Sequence, residues 1–163
     1  MIEAALIQDS GEIARIYNQY VGLPLATMEL TPWSAETVKT WMTSMGGREI
    51  LLVLRSPQST LHGWGSIKSY SAREGYQTTG EVSLYLDSQD CGKGLGAPLM
   101  KALIHHARDH GIHHIVAKTF ASNTRSRQFH ETHGFELVGI QKEVGQIAEK
   151  WQDIALYQLI LSR

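Results

Sequence analysis

Residues 91–96 read CGKGLG, with three glycines at alternate positions. They stand between a β-rich run, EVSLYLD at 81–87, and a helical run that ends near Gly111. Glycine lets the backbone approach a ligand closely and turn successive N–H groups into one space. The helix N-terminus behind the turn adds its positive dipole end, which makes the segment a candidate pyrophosphate cradle. A tight strand-to-helix turn that binds nothing is the plain alternative. The nucleoside triphosphate pattern G-x-x-x-x-G-K-[ST] is absent. Gly92, Gly94 and Ala97 do fit the dinucleotide spacing. However, the next strand ends in Lys118 and Thr119, where a Rossmann-like nucleotide binder needs an acid for the ribose.

Other reactive types are less suggestive. His106 and His110 have the i,i+4 spacing of a metal pair, but they lack cysteine partners and Arg108 lies between them. A solvated helix face explains them better, and no metal is expected. Cys91 has no base beside it in the sequence. Trp33, Trp41, Trp64 and Trp151 fall on different elements, as core or interface residues do.

Composition sets the frame for these residues. A chain of 163 residues suits one domain spanning 1–163, and 42% hydrophobic content can fill one core. Fifteen basic against sixteen acidic side chains give a formal charge of -1, which offers no broad attraction to nucleic acid or an anionic membrane. One cysteine excludes an intramolecular disulfide. No apolar run approaches the roughly 18 residues of a membrane span. A cytoplasmic protein is the expectation.

The elements that must position the turn read in order. A short strand at 2–7 precedes a helix announced by Asp9 and Glu12 as a D-x-x-E cap, and Ser34 caps a second helix. Residues 23–32 are irregular. Strands follow at 49–55, 61–69 and 81–87, then the glycine turn and its helix, and a strand at 113–119. A helix over 122–133 stops at Gly134, and two strands close the chain at about 135–144 and 151–161. The order β-α-α-β-β-β-α-β-α-β-β predicts an α/β (α+β mixed) fold, a mixed sheet with helices on both faces.

CGKGLGAPLMKALIHHA after EVSLYLD, followed by SNTRSRQFHETHGFELVG, resembles the acetyl-CoA-binding core of the GNAT superfamily of N-acetyltransferases. IYNQYVGLPLATMEL, AREGYQTTGEVSLYL and VGQIAEKWQDIALYQL extend the resemblance to the phosphinothricin acetyltransferase branch over nearly the whole chain. It implies a central, largely antiparallel sheet of about seven strands. It also implies acetyl-CoA as co-substrate, a small amino-acid-like amine as acceptor, and a homodimer. A non-catalytic acyl-CoA-binding module is the alternative.

The resemblance assigns roles residue by residue. Glu81, which shares a strand face with Ser83 and Tyr85, matches the general base. Leu84, Tyr85 and Leu86 match the stretch whose main chain meets the cofactor. Cys91, Gly92, Lys93, Gly94, Leu95 and Gly96 form the cradle, and Asn123 and Ser126 are further cofactor contacts. His130 stands where the branch has a histidine that contacts substrate or protonates the thiolate. Met28, Arg73, Tyr76 and the Tyr85 side chain match the substrate site, with Arg73 as a carboxylate clamp. Three departures stand out: Cys91 replaces glutamine or arginine, Ser71 replaces a basic residue, and QIAEKW replaces FKFGRW.

Overall fold

A computed structural model describes residues 1–162. In chain order the elements are β1 (Ile2–Ala4), α1 (Ser10–Asn18), α2 (Ala35–Ser44), β2 (Ile50–Arg55), β3 (Leu61–Ser69) and β4 (Thr79–Leu86). They continue with α3 (Gly96–Asp109), β5 (His114–Phe120), α4 (Thr124–Thr132), β6 (Glu136–Ile147) and β7 (Lys150–Ile160). The strands make one sheet in the order β1-β2-β3-β4-β5-β7-β6. Only β4 and β5 run parallel; every other neighbouring pair is antiparallel. The mixed, largely antiparallel sheet expected from the sequence is the one observed.

Strand β2 shows why helices cover both faces. Its run ILLVL is buried throughout, and the period of two sends alternate side chains to opposite sides. Ile50, Leu52 and Leu54 join Leu99, Met100, Leu103 and Ala107 of α3 in one core. Leu51 and Val53 join Ile13, Ala14, Ile16 and Tyr17 of α1, Val38 of α2, and Trp64 in the other. Helices α1 and α3 present these residues at three- and four-residue spacing, which makes one apolar stripe on each.

Local chemistry departs from expectation at two helix starts. Asp9 does not cap α1. Its carboxylate accepts Leu6 N–H at 2.8 Å and the Arg55 guanidinium at 2.6 Å, closing a tight turn at Ile7–Asp9 that ends β1 early. Glu12 pairs with Arg15 instead. Helix α4 begins at Thr124, later than expected, because Asn123 Oδ1 takes the Ser126 N–H at 3.0 Å and so serves as its N-cap. Ser34 caps α2 as expected, accepting Thr37 N–H at 3.0 Å.

Candidate active site

The parallel β4–β5 ladder stops at Val82–Ala117, although β4 continues to Leu86 and β5 to Phe120. Beyond that pair the strands part, while β4 stays zipped to β3 as far as Leu86. Hydrogen bonds Tyr70 N–H to Thr79 O and Asp87 N–H to His62 O set the alternation of the β3–β4 ladder. By that alternation the main chains of Glu81, Ser83 and Tyr85 face β3, and those of Leu84 and Leu86 face the opening. Of the three residues expected to offer main-chain groups, Leu84 and Leu86 are placed to do so. Tyr85 is not, because its main chain is directed at Trp64. The Leu86 carbonyl already accepts the Tyr20 hydroxyl at 2.5 Å.

The glycine turn closes one end of this opening. Asp87 receives Arg15 at 2.8 Å and Gln19 at 3.3 Å, tying the end of β4 to α1. Burial pulls the Asp87 carboxyl up, but Arg15, the Gln89 amide and Gln19 outweigh it and hold it below the usual carboxylate range. Asp90 is held low by Lys93 at 2.8 Å and His62 at 2.6 Å. Gly92 and Gly94 take φ of +88° and +79°, the left-handed region in which a side chain is strained. Helix α3 then starts with no side-chain cap and no acid in its first turn, so its leading N–H groups stay available to an anion. Lys93 points back to Asp90, and its contribution to the turn is that ion pair. The Cys91 thiol lies 3.3 Å from the Tyr20 hydroxyl.

Glu81 stands at the other end. It lines an open cavity of about 370 Å³ with Trp41, Ser44, Glu49, Lys68 and Ser69. Lys118 of β5 donates to Glu81 Oε2 at 2.8 Å. Lys68 sits directly across from Glu81 on β3, its ammonium 5.1 Å from the Trp41 ring. Lys118 also lies 6.0 Å from the Tyr70 ring, and Tyr70 meets Tyr76 edge-on at 5.5 Å. The turn carrying Arg73 and Tyr76 therefore connects to Glu81 through Tyr70 and Lys118. The Arg73 side chain has no hydrogen-bond partner among the described residues. A larger groove of about 800 Å³, lined by Thr78, Arg108, Gly111, Ile112 and His113 among others, lies by the C-terminal end of α3, away from these groups.

The irregular segment 23–32 roofs the centre of the site. The Tyr85 hydroxyl reaches Ala26 O at 3.4 Å, and Thr27 bonds the Tyr17 hydroxyl at 2.7 Å. Burial pushes the Tyr85 phenol up, so it stays a neutral hydroxyl. Met28 packs on Phe120, Ile147 and Ile154, where Gly145 leaves room for its methyl; a Cβ there would collide with it. Asn123 Nδ2 donates to Leu25 O at 2.6 Å, fastening this segment to the start of α4. In the structure the Asn123 side chain is engaged by this scaffold, and Ser126 through its main chain alone.

His130 is set apart from Glu81. Its ring packs against Phe135 and Tyr157, on the α3 side of the sheet. Nδ1 bonds Ser126 O at 2.8 Å, and since a carbonyl only accepts, that nitrogen carries the proton. A neutral His130 thus shows a lone pair at Nε2, with no proton to give to a thiolate. Burial pushes the imidazole below its ordinary range, the Ser126 carbonyl opposes, and His133 adds to the lowering. The unfolded chain therefore takes up this proton first as pH falls. The stability that His130 contributes is fully present above about pH 6.5 and is lost below it, and His106, lowered chiefly by burial, acts in the same direction. We expect the fall in Tm between about pH 7.5 and about pH 5.5 to be smaller in His130→Phe than in the parent.

Two cations went unnoticed in the sequence as parts of a site. Lys118 became visible only through the β4–β5 pairing. Arg125 of α4 leans over the glycine turn, its guanidinium 3.1 Å from where a Gly92 Cβ would be. Among the described residues no group of three metal-binding side chains gathers, and no helix is long and apolar enough to cross a membrane.

Comparison with known proteins gives a consistent result. Residues 2–156 match the acetyltransferase (GNAT) domain family. The chain is 33% identical, over 98% of its length and 94% of the relative's, to the L-methionine sulfoximine/L-methionine sulfone acetyltransferase of Pseudomonas aeruginosa. It is 25% identical to the phosphinothricin N-acetyltransferase of Streptomyces coelicolor, over 93% of this chain and 90% of that one. Among solved structures, a GNAT superfamily phosphinothricin acetyltransferase from Sinorhizobium meliloti in complex with acetyl-CoA superposes with a TM-score of 0.93. It is 26% identical, over 99% of this chain and 88% of that one.

Proposed function

Because the chain belongs to the GNAT family of acetyltransferases, we propose that it transfers acetyl from acetyl-CoA to the α-amine of a small amino acid analogue. Methionine sulfone, methionine sulfoximine and phosphinothricin are the proposed acceptors, and Glu81 is the proposed general base. The observation that carries this reading is the parting of β4 from β5 between a carboxylate at one end and an uncapped, glycine-led helix at the other. It supports one domain over residues 1–163 holding both substrates in line.

These residues fit acetyl-CoA. The α3 amides, the Gly92 and Gly94 turn and the Arg125 guanidinium suit its pyrophosphate, and the open main-chain groups of Leu84 and the Leu86 N–H suit its pantetheine arm. Bound acetyl-CoA supplies the acetyl group as an activated thioester. The chain does the rest. Leu84 N–H is available to hold a carbonyl oxygen as charge builds on it. The Tyr85 hydroxyl and the segment at Met28 wall the acceptor. Glu81 lies four residues from Tyr85 on the same face, about 13 Å along the strand. A single carboxylate does not span that distance, so the ammonium proton reaches Glu81 through intervening water. The amine nitrogen then bonds the acetyl carbon, the carbon–sulfur bond breaks, and the thiolate is protonated from solvent. His130 steadies Ser126 through that residue's carbonyl, a positioning role consistent with its proton position.

Arg73 and Tyr76 stand at the outer end of the same face and complete the proposed acceptor site. We further propose a homodimer through the β6–β7 hairpin, where Val138 and Trp151 are each 59% exposed beside Leu137, Ile140 and Val144. Sedimentation is expected to read two chains, and Trp151→Lys to read one. A cytoplasmic setting goes with a cofactor of central metabolism. The functional test is thiol release from acetyl-CoA with these acceptors. A chain that binds acetyl-CoA and never turns over on any amine would be the non-catalytic module instead.

A further inference from the structure

We propose that Lys118 receives the carboxylate of the acceptor, so that the Lys118–Glu81 pair is the counterpart of a zwitterionic amino-acid head. This rests on the acetyl-transfer reading above and names the residue that selects its substrate.

Placement comes first. Lys118 is the first β5 residue past the last ladder pair, Val82–Ala117, where the strands part. Val116 is level with Glu81, and two residues along a strand return to the same face, so Lys118 projects on Glu81's side between Glu81 and Tyr85. Charge comes second. The ammonium and carboxylate sit 2.8 Å apart with side-chain exposures of 44% and 29%, so both are reachable from the opening. An α-amino acid bears the same two charges on groups attached to one carbon. Laid along the pair, its carboxylate meets Lys118 and its ammonium faces Glu81 across the intervening water that carries its proton. One ion pair becomes two, and no charge is stranded. An exposed pair of this kind is weak by itself, so the acceptor opens it readily.

The surrounding groups leave this role to Lys118. Lys68 faces Glu81 from β3, but its ammonium is directed at the Trp41 ring. Glu49 is engaged by the amides of Ser69 and Gly46. Arg73 lies on the exposed turn before β4, farther from the point where the strands part. An amine without a carboxylate would have to displace Lys118 from Glu81 and leave it without a partner. The site therefore favours amino acids over the corresponding decarboxylated amines.

The test compares kcat/KM for methionine sulfone and for 3-(methylsulfonyl)propylamine in the full chain, its Lys118→Met and Lys118→Arg variants, and Arg73→Met. The parent is expected to prefer the amino acid. Lys118→Met should lose at least about tenfold of that preference, mostly through KM, as a lost charged hydrogen bond implies. Lys118→Arg should retain most of it, and Arg73→Met should lose less. Equal losses on both compounds in Lys118→Met would reduce the lysine to a support for Glu81 and overturn the proposal. So would a preference that collapses in Arg73→Met instead. Failure of the parent to acetylate any amino acid would overturn the acetyl-transfer reading, and this assignment with it.

Discussion

Glu81→Gln is expected to lower kcat for amine acetylation by about 10²–10⁴ while leaving acetyl-CoA binding intact. The amide keeps the size and hydrogen-bonding reach of the carboxylate but cannot hold the proton that the attacking amine must lose. The substitution also breaks the ion pair with Lys118, whose side chain is 44% exposed, so the fold loses little. Acetyl-CoA is proposed to bind at the glycine turn and along Leu84 to Leu86, none of which touches the Glu81 side chain. Thermal shift with acetyl-CoA should therefore match that of the parent, while thiol release collapses. A variant of unchanged rate would place the base elsewhere. One that loses cofactor binding in step with rate would make Glu81 a structural residue.

Trp64→Ala carries the largest expected cost to the fold, about 3–5 kcal/mol. Trp64 is 1% exposed at the centre of a ring cluster, with centroids 4.9 Å from Tyr85, 5.8 Å from Trp41 and 5.9 Å from Tyr17. Its indole N–H donates to Ile13 O at 3.2 Å, tying α1 to β3. Removing it opens a cavity and cuts the tie to α1, although that carbonyl keeps its bond within the helix; the loss stands against a total stability of about 5–15 kcal/mol. For a chain of this size the loss corresponds to roughly 6–20 °C in Tm. Trp64→Phe keeps most of the volume and loses the hydrogen bond, so it should fall between. Because Trp64 backs the Tyr85 ring, the truncation should also raise KM for the acceptor at temperatures where the protein is still folded. Calorimetry and kinetics on the same samples separate the two effects.

The parts of the molecule that depend on neighbours in sequence were legible before the structure. The unbroken apolar run of β2, the Ser34 cap, the glycine turn between strand and helix, and the common face of Glu81, Ser83 and Tyr85 all follow from period or from residue type. The tryptophans read as scattered, yet Trp33, Trp41 and Trp64 meet in one cluster while Trp151 stays on the surface. The misreadings share a cause. Asp9 has the chemistry of a cap but finds Arg55, 46 residues away, which a local pattern does not see. Lys118, 37 residues from Glu81, reads as the end of a strand until β4 and β5 are laid parallel. Arg125 reaches the glycine turn from another helix. His130 was legible as a position but not as a tautomer, because the Ser126 carbonyl that decides where its proton sits is a feature of the folded α4.

The most direct measurement is the release of CoA thiol from acetyl-CoA with methionine sulfone, methionine sulfoximine and phosphinothricin, run beside Glu81→Gln. The account predicts steady turnover on at least one of the three and its collapse in the variant. Turnover unaffected by loss of the carboxylate, or none on any of the three by a chain that binds acetyl-CoA, would contradict it.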